Sequence, residues 1–185
     1  MRMTLLTDDR VCTNFALMSA ADILEFAVMI PSGRILEDEG IERGQLGLNA
    51  ECSKFFGISA GDEVNIKVFV PPSKGLDLSL LRIEVDLLDG SSTHQPVLAS
   101  NFVREFVKTF NKQIFTEIQS ILLRYGGNIY HCTVADASVA EDKHSPAPKR
   151  GMLRKSTEVI VEVSSSMVYS HNLDMSCSVI YVQFT

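Results

Sequence analysis

The stretch Asn101–Val134 constrains the fold more than any other part of this sequence. Phe102, Phe106 and Phe110 recur every fourth residue, flanked by Val103, Val107 and Ile114. That spacing lines up large apolar side chains along one stripe of a helix. Arg104, Glu105, Lys108, Asn111 and Lys112 fall largely between them, which leaves the opposite face wet. Near Phe115–Thr116 the pattern changes, and two β-rich runs then flank Gly126-Gly127-Asn128. Glycine and asparagine accept the positive φ that tight hairpin turns need, so a β-hairpin is expected. A helix buttressing a hairpin predicts a small α+β unit. It is a packing unit, not a chemical one.

At 185 residues the chain is long enough for one large domain or two small ones, each with its own core. It holds no apolar window of the roughly 18 residues a membrane-crossing helix needs. The first ten residues soon become acidic and lack the sustained apolar region of a secretory signal. Cys12, Cys52, Cys132 and Cys177 are far apart, with no Cys-x-x-Cys pair and no histidine at zinc-finger spacing. Buried thiols, rather than a structural metal, are the expectation. A net charge of −6 argues against a nucleic-acid binder, whose footprint is usually basic.

Taken in order, Asn14–Met18 and Ile23–Ile30 read as strands, separated by a small-residue turn and closed by Pro31-Ser32-Gly33. Arg34–Arg43, with Glu37, Asp38, Glu39 and Glu42, reads as a solvated acidic loop. Gln45–Asn49 is a short strand and Glu51–Phe56 a helical turn ending at Gly57. Val64, Ile66, Val68 and Val70 alternate along one strand, and Leu81, Ile83, Val85 and Leu87 along another. Short strands with glycine-rich turns and little helix predict a small β-barrel over residues 1–90. The polar run 89–96 is the expected linker, and 97–185 the second subdomain. Within it, Ala140–Lys155 is expected to be a loop. Glu158–Val163, Met167–Tyr169 and Ser178–Phe184 are expected to complete a sheet.

No Walker pattern and no Gly-x-Gly-x-x-Gly is present, so no nucleotide chemistry is expected from these residues. Gly57-Ile58-Ser59-Ala60-Gly61 spells the nucleophile-elbow pattern, but an elbow needs a strand before the serine and a helix after it. Here the order is reversed, and a plain turn serine is expected. His94, His131, His144 and His171 have no sequence-level catalytic partner. The remaining lead is charge. Lys54 stands beside Phe55 and Phe56, with Lys67 and Lys74 following; Lys149-Arg150 and Arg154-Lys155 form a second basic cluster. Such residues suit an acidic partner, with electrostatics setting on-rate and specificity more than affinity.

Several runs then carry a family resemblance. Glu51-Cys-Ser-Lys-Phe-Phe-Gly-Ile-Ser-Ala-Gly-Asp-Glu-Val resembles the N-terminal domain of the N-ethylmaleimide-sensitive factor family, the vesicle-fusing AAA ATPases. Glu105-Phe-Val-Lys-Thr-Phe-Asn-Lys-Gln-Ile-Phe is similar to that family's Glu-Phe…Phe-Asn-x-Gln-x-Phe helix. Thr13-Asn14, Ile83-Glu84-Val85-Asp86 and Pro146…Lys149-Arg150…Glu158-Val159 follow in the family's order.

The resemblance implies a mainly β architecture with α+β character: a double-psi β-barrel subdomain followed by a small α+β subdomain. It implies docking of a soluble attachment protein bound to a SNARE complex, with no catalysis, cofactor, nucleic acid or membrane insertion in this segment. ATP and Mg²⁺ would belong to ATPase modules of a longer, homohexameric protein. The domain by itself would be a monomer, cytoplasmic and recruited to membranes through its partners. Carried over by position, Lys54 matches a basic partner-contact site, and Arg2 or Arg10 stands in for an N-terminal arginine. The family's basic neighbour of Lys54 is Ser53 here, its paired lysines fall on Gly90 and Ser91, and the acidic loop Glu37–Glu42 is extra. Two rivals are a valosin-containing-protein-type N domain that binds ubiquitin-related adaptors and a free-standing enzyme on a double-psi barrel.

Overall fold

A computed structural model describes residues 1–6, 16–27, 35–66, 75–89, 98–139, 150–164 and 179–182. The chain forms two units, Met1–Pro71 and Pro72–Thr185. The fold is mainly β with three helices among the described residues.

In the first unit β1 (Arg2–Leu5), β2 (Ala16–Met18), β3 (Ile35–Glu37) and β4 (Gln45–Leu48) make one sheet in the order β1-β4-β2-β3. β1 runs parallel to β4 and β2 parallel to β3, while β2 and β4 are antiparallel. Among the described residues these strands do not close into a barrel. Met3, Met18, Leu46, Leu48 and Cys52 form the core, with Ile23, Ile58, Val64 and Ile66 packed against it. Leu6, Leu17 and Ile41 form a second cluster around Gly47, where a Cβ would stand 2.7 Å from Leu6. The close approach explains the glycine.

Residues 23–27 are not a strand but part of helix α1 (Ala20–Ala27); residues 28–30 of the expected strand lie outside the described ones. The Asp22 N–H donates to Ser19 Oγ (3.3 Å), and that hydroxyl donates back to the Asp22 carboxylate (2.9 Å). This reciprocal cap starts a helix whose apolar residues would otherwise suit a strand. The expected acidic loop is also partly a strand, since β3 holds Ile35–Glu37 against β2. Val64 and Ile66 pack against the core but are not in a strand, and 67–70 lie outside the described residues.

The second unit is built on β5 (Leu78–Asp89), α3 (Ala99–Phe110), β6 (Ile114–Thr116), β7 (Ser120–Tyr125), β8 (Asn128–Val139), β9 (Arg150–Met152), β10 (Glu158–Val163) and β11 (Val179–Val182). Five strands run in the order β11-β10-β5-β8-β7, and β6 pairs with β9. β5 alternates as expected, yet it pairs with β8 and β10 and so belongs to this sheet, not to the first subdomain. The chain therefore divides near Pro71, not at 89–96, of which only Asp89 is described. The expected hairpin is β7–β8: Tyr125 pairs with Asn128, and Gly126 (φ 58°) and Gly127 (φ 82°) supply two successive left-handed residues. Part of the expected 140–155 loop is strand β9, and 140–149 lies outside the described residues, as does 167–169.

α3 buries Phe102, Val103, Phe106, Val107 and Phe110. Phe106 packs edge to face on Phe110 (4.8 Å between centroids) and stacks on Phe115 (5.8 Å), while Phe102 meets Tyr130 (5.2 Å). These rings join Leu81, Ile83, Val85, Ile121, Val134, Val159 and Val161 in one core. Aromatic edge-to-face pairs add about 0.5–1.5 kcal/mol each beyond the area they bury.

Candidate docking surface

Helix α2 (Ala50–Phe56) and the turn after it carry the residues singled out by sequence. The buried Asn49 caps the start, its side-chain oxygen accepting from the Cys52 N–H at 2.7 Å. At the other end Gly57 takes the left-handed conformation (φ 65°). Its N–H reaches Lys54 O and the Ile58 N–H reaches Ser53 O, both at 3.1 Å. That pair of bonds is a Schellman motif. Ser53 Oγ donates to Ile58 O as well, so this buried side chain locks the cap. A lysine or arginine here would lose that bond.

The turn continues with the Ser59 N–H donating to the Asp62 carboxylate (2.8 Å) and the Asp62 N–H to Ser59 O (3.1 Å). Two bonds of 2.9 Å, Gly61 N–H to Met3 O and Met3 N–H to Asp62 O, then clamp it to β1. Ser59 is an exposed turn residue that follows a helix, as the sequence reading expected. Cys52 sits beneath, and burial, then the Glu51 carboxylate, push its thiol up to about 11. Burial raises the Cys132 thiol of the second unit also.

On this frame Lys54 is 74% exposed, its ammonium 2.8 Å from the Glu51 carboxylate. An ammonium carries three donors, so one ion pair does not exhaust it. Beside it Phe55 and Phe56 are 36% and 59% exposed, their rings edge to face at 5.2 Å. Sequence reading noted these rings beside Lys54 but gave them no role. The signal was there: two large apolar residues pointing about 100° apart close a short helix that stops at Gly57. Arg2 is exposed on β1, the strand that holds the turn, and pairs with Gln45 on one side and Glu63 on the other.

Arg10, Lys67, Lys74, Gly90, Ser91 and Lys149 lie outside the described residues, as do His94, His144 and His171. In the second basic cluster the Arg154 guanidinium is taken up by Asp77 at 2.8 Å, while Arg150 opens β9 opposite Thr116. Among the described residues no group of three or more His, Cys, Asp or Glu is placed to hold a metal ion. No described helix is long and apolar enough to cross a membrane.

The sequence is 28% identical over 169 residues to a vesicle-fusing ATPase of Arabidopsis thaliana, and the match covers 85% of this chain. No protein-family model matches. The aligned part is 23% of that relative's length, so this chain spans less than a quarter of it. The resemblance to the vesicle-fusing ATPase family that the motifs carry is therefore borne out, over a part of such a protein.

Proposed function

We propose that this chain is the adaptor-docking N domain of a vesicle-fusing AAA ATPase. It grips a soluble attachment protein bound to a SNARE complex, while modules elsewhere in a hexameric protein hold ATP and Mg²⁺ and supply force. The first unit is read as a double-psi β-barrel, a reading supported by two parallel strand pairs within one small sheet. The observation that carries the docking role is the end of α2, where an exposed cation and two exposed rings stand on a helix capped at both ends. Lys54 and Arg2 are the described cations of this surface.

Exposed ion pairs contribute about 0–1 kcal/mol each, so one copy binds weakly and firm grip comes from several copies acting together. Lys54→Glu and Arg2→Glu are expected to slow association with the attachment protein–SNARE complex, most at low salt. Surface plasmon resonance across a salt series checks this. Association rates unchanged in both variants would remove the cationic surface from the account. A wild-type chain that prefers a ubiquitin-fold adaptor in a parallel titration would favour the valosin-containing-protein type instead.

A further inference from the structure

From the geometry at the end of α2 we infer that Phe56, with Phe55 as its support, is the affinity anchor of this surface, seated in an apolar pocket rimmed by carboxylates on the attachment protein. The inference rests on the docking role proposed above and assigns the binding energy within it.

Charge alone does not supply that energy. Lys54 already has a carboxylate at 2.8 Å, so a partner's carboxylate meets an ammonium whose charge is partly offset rather than a bare cation. Among the described residues the adjacent rings have an aromatic contact only with each other. Phe56 is 59% exposed although phenylalanine is among the residues most favoured in cores, and its ring edge rests against Phe55. The platform is rigid: Asn49 fixes one end, while Gly57, Ile58 and Ser53 fix the other. A ring with two torsions on a fixed helix loses little freedom when bound, and such residues concentrate binding energy at interfaces. Lys54, two residues before Phe56, selects a pocket with an acidic rim over one with a basic rim. Its part is steering.

The two roles separate in kinetics. The intact chain is titrated onto the attachment protein bound to a SNARE bundle, at low and high salt, with thermal melts of every variant. Phe56→Ala is expected to weaken binding tenfold or more through faster dissociation, by a similar factor at both salt concentrations, and to melt like wild type. Phe56→Tyr is expected to keep most of the affinity. Lys54→Glu is expected to act on association and to lose its effect at high salt. If Phe56→Ala binds like wild type while Lys54→Glu weakens binding, the anchor is wrong and the docking role stands. If the wild-type chain does not bind at either salt concentration, the docking role falls first. Phe56-dependent binding to a ubiquitin-fold adaptor in place of the attachment protein overturns the assignment of partner.

Discussion

Two helices in this chain use phenylalanine in opposite ways. α3 spaces Phe102, Phe106 and Phe110 four apart and hides all three beneath the sheet of the second unit. α2 places Phe55 and Phe56 side by side at its last turn and leaves both in solvent. The residue type is the same, and spacing decides its fate. Rings four apart share a stripe and join Phe115, Tyr125 and Tyr130 in a contiguous cluster. Phe55 and Phe56 point about 100° apart at the end of a seven-residue helix, which Gly57 stops before another turn adds apolar neighbours. The first arrangement specifies a fold, and the second leaves apolar surface exposed.

The contrast has a large and direct test in stability. Phe106→Ala removes a fully buried ring at the centre of the cluster and is expected to destabilise by about 3–5 kcal/mol. Phe56→Ala is expected to change stability by less than about 0.5 kcal/mol. Denaturant midpoints measure both. Comparable losses would mean that the α2 rings are structural and would dissolve the comparison.

A smaller effect sharpens it by pH. The folded Cys52 thiol keeps its proton up to about 11, whereas an unfolded thiol ionises near 8.5. Between those values the unfolded chain binds fewer protons than the folded one, so stability falls as pH rises through that window. The loss from this group reaches about 2.5 kcal/mol by pH 10.5 and is only a few tenths of a kcal/mol or less below pH 8. Denaturant midpoints at pH 8 and 10.5 show it for wild type, and the Cys52→Ala variant is expected to lose that part of the slope. An unchanged slope would mean that the thiol beneath α2 is open to solvent.

The smallest expected effect lies in the second unit. Ile118 is 79% exposed and holds φ +70°, a conformation a β-branched residue rarely takes. The turn around it is held by Ile118 N–H to Val134 O (2.9 Å) and by the Gln119 side chain accepting from the Thr116 N–H (3.1 Å). Ile118→Gly relieves about 1–2 kcal/mol of backbone strain and adds glycine's freedom to the unfolded chain. A net gain of about 0.5 kcal/mol is expected in the same denaturation assay. Destabilisation would show that the isoleucine side chain has a stabilising contact here.

What the sequence made legible follows from how strongly each element repeats. α3, the β7–β8 hairpin, the alternation of β5 and the run Glu158–Val163 each carry a clear period or turn signature, and each is present as read. β3 and β9 have three residues apiece, too few for a period, and each exists by pairing with another three-residue strand, β2 and β6. α1 was hidden by β-prone residues, although the Ser19-x-x-Asp22 box marked its start. β5 was placed in the wrong unit because its partners are distant in sequence: Leu80 pairs with Ser138 on one side and Glu158 on the other. At the candidate surface the exposure of Lys54 was readable from its charge. The cap-locking role of Ser53 was not, because it depends on where the chain turns after Phe56.

The central claim is that the end of α2 is a surface for another protein. The most direct measurement is the affinity of the intact chain for an attachment protein–SNARE complex, compared between wild type and a Lys54→Glu/Phe56→Ala double variant that melts at the wild-type temperature. The account expects weak, salt-sensitive binding by wild type and near-complete loss in the double variant. Equal affinities in the two folded proteins would contradict it.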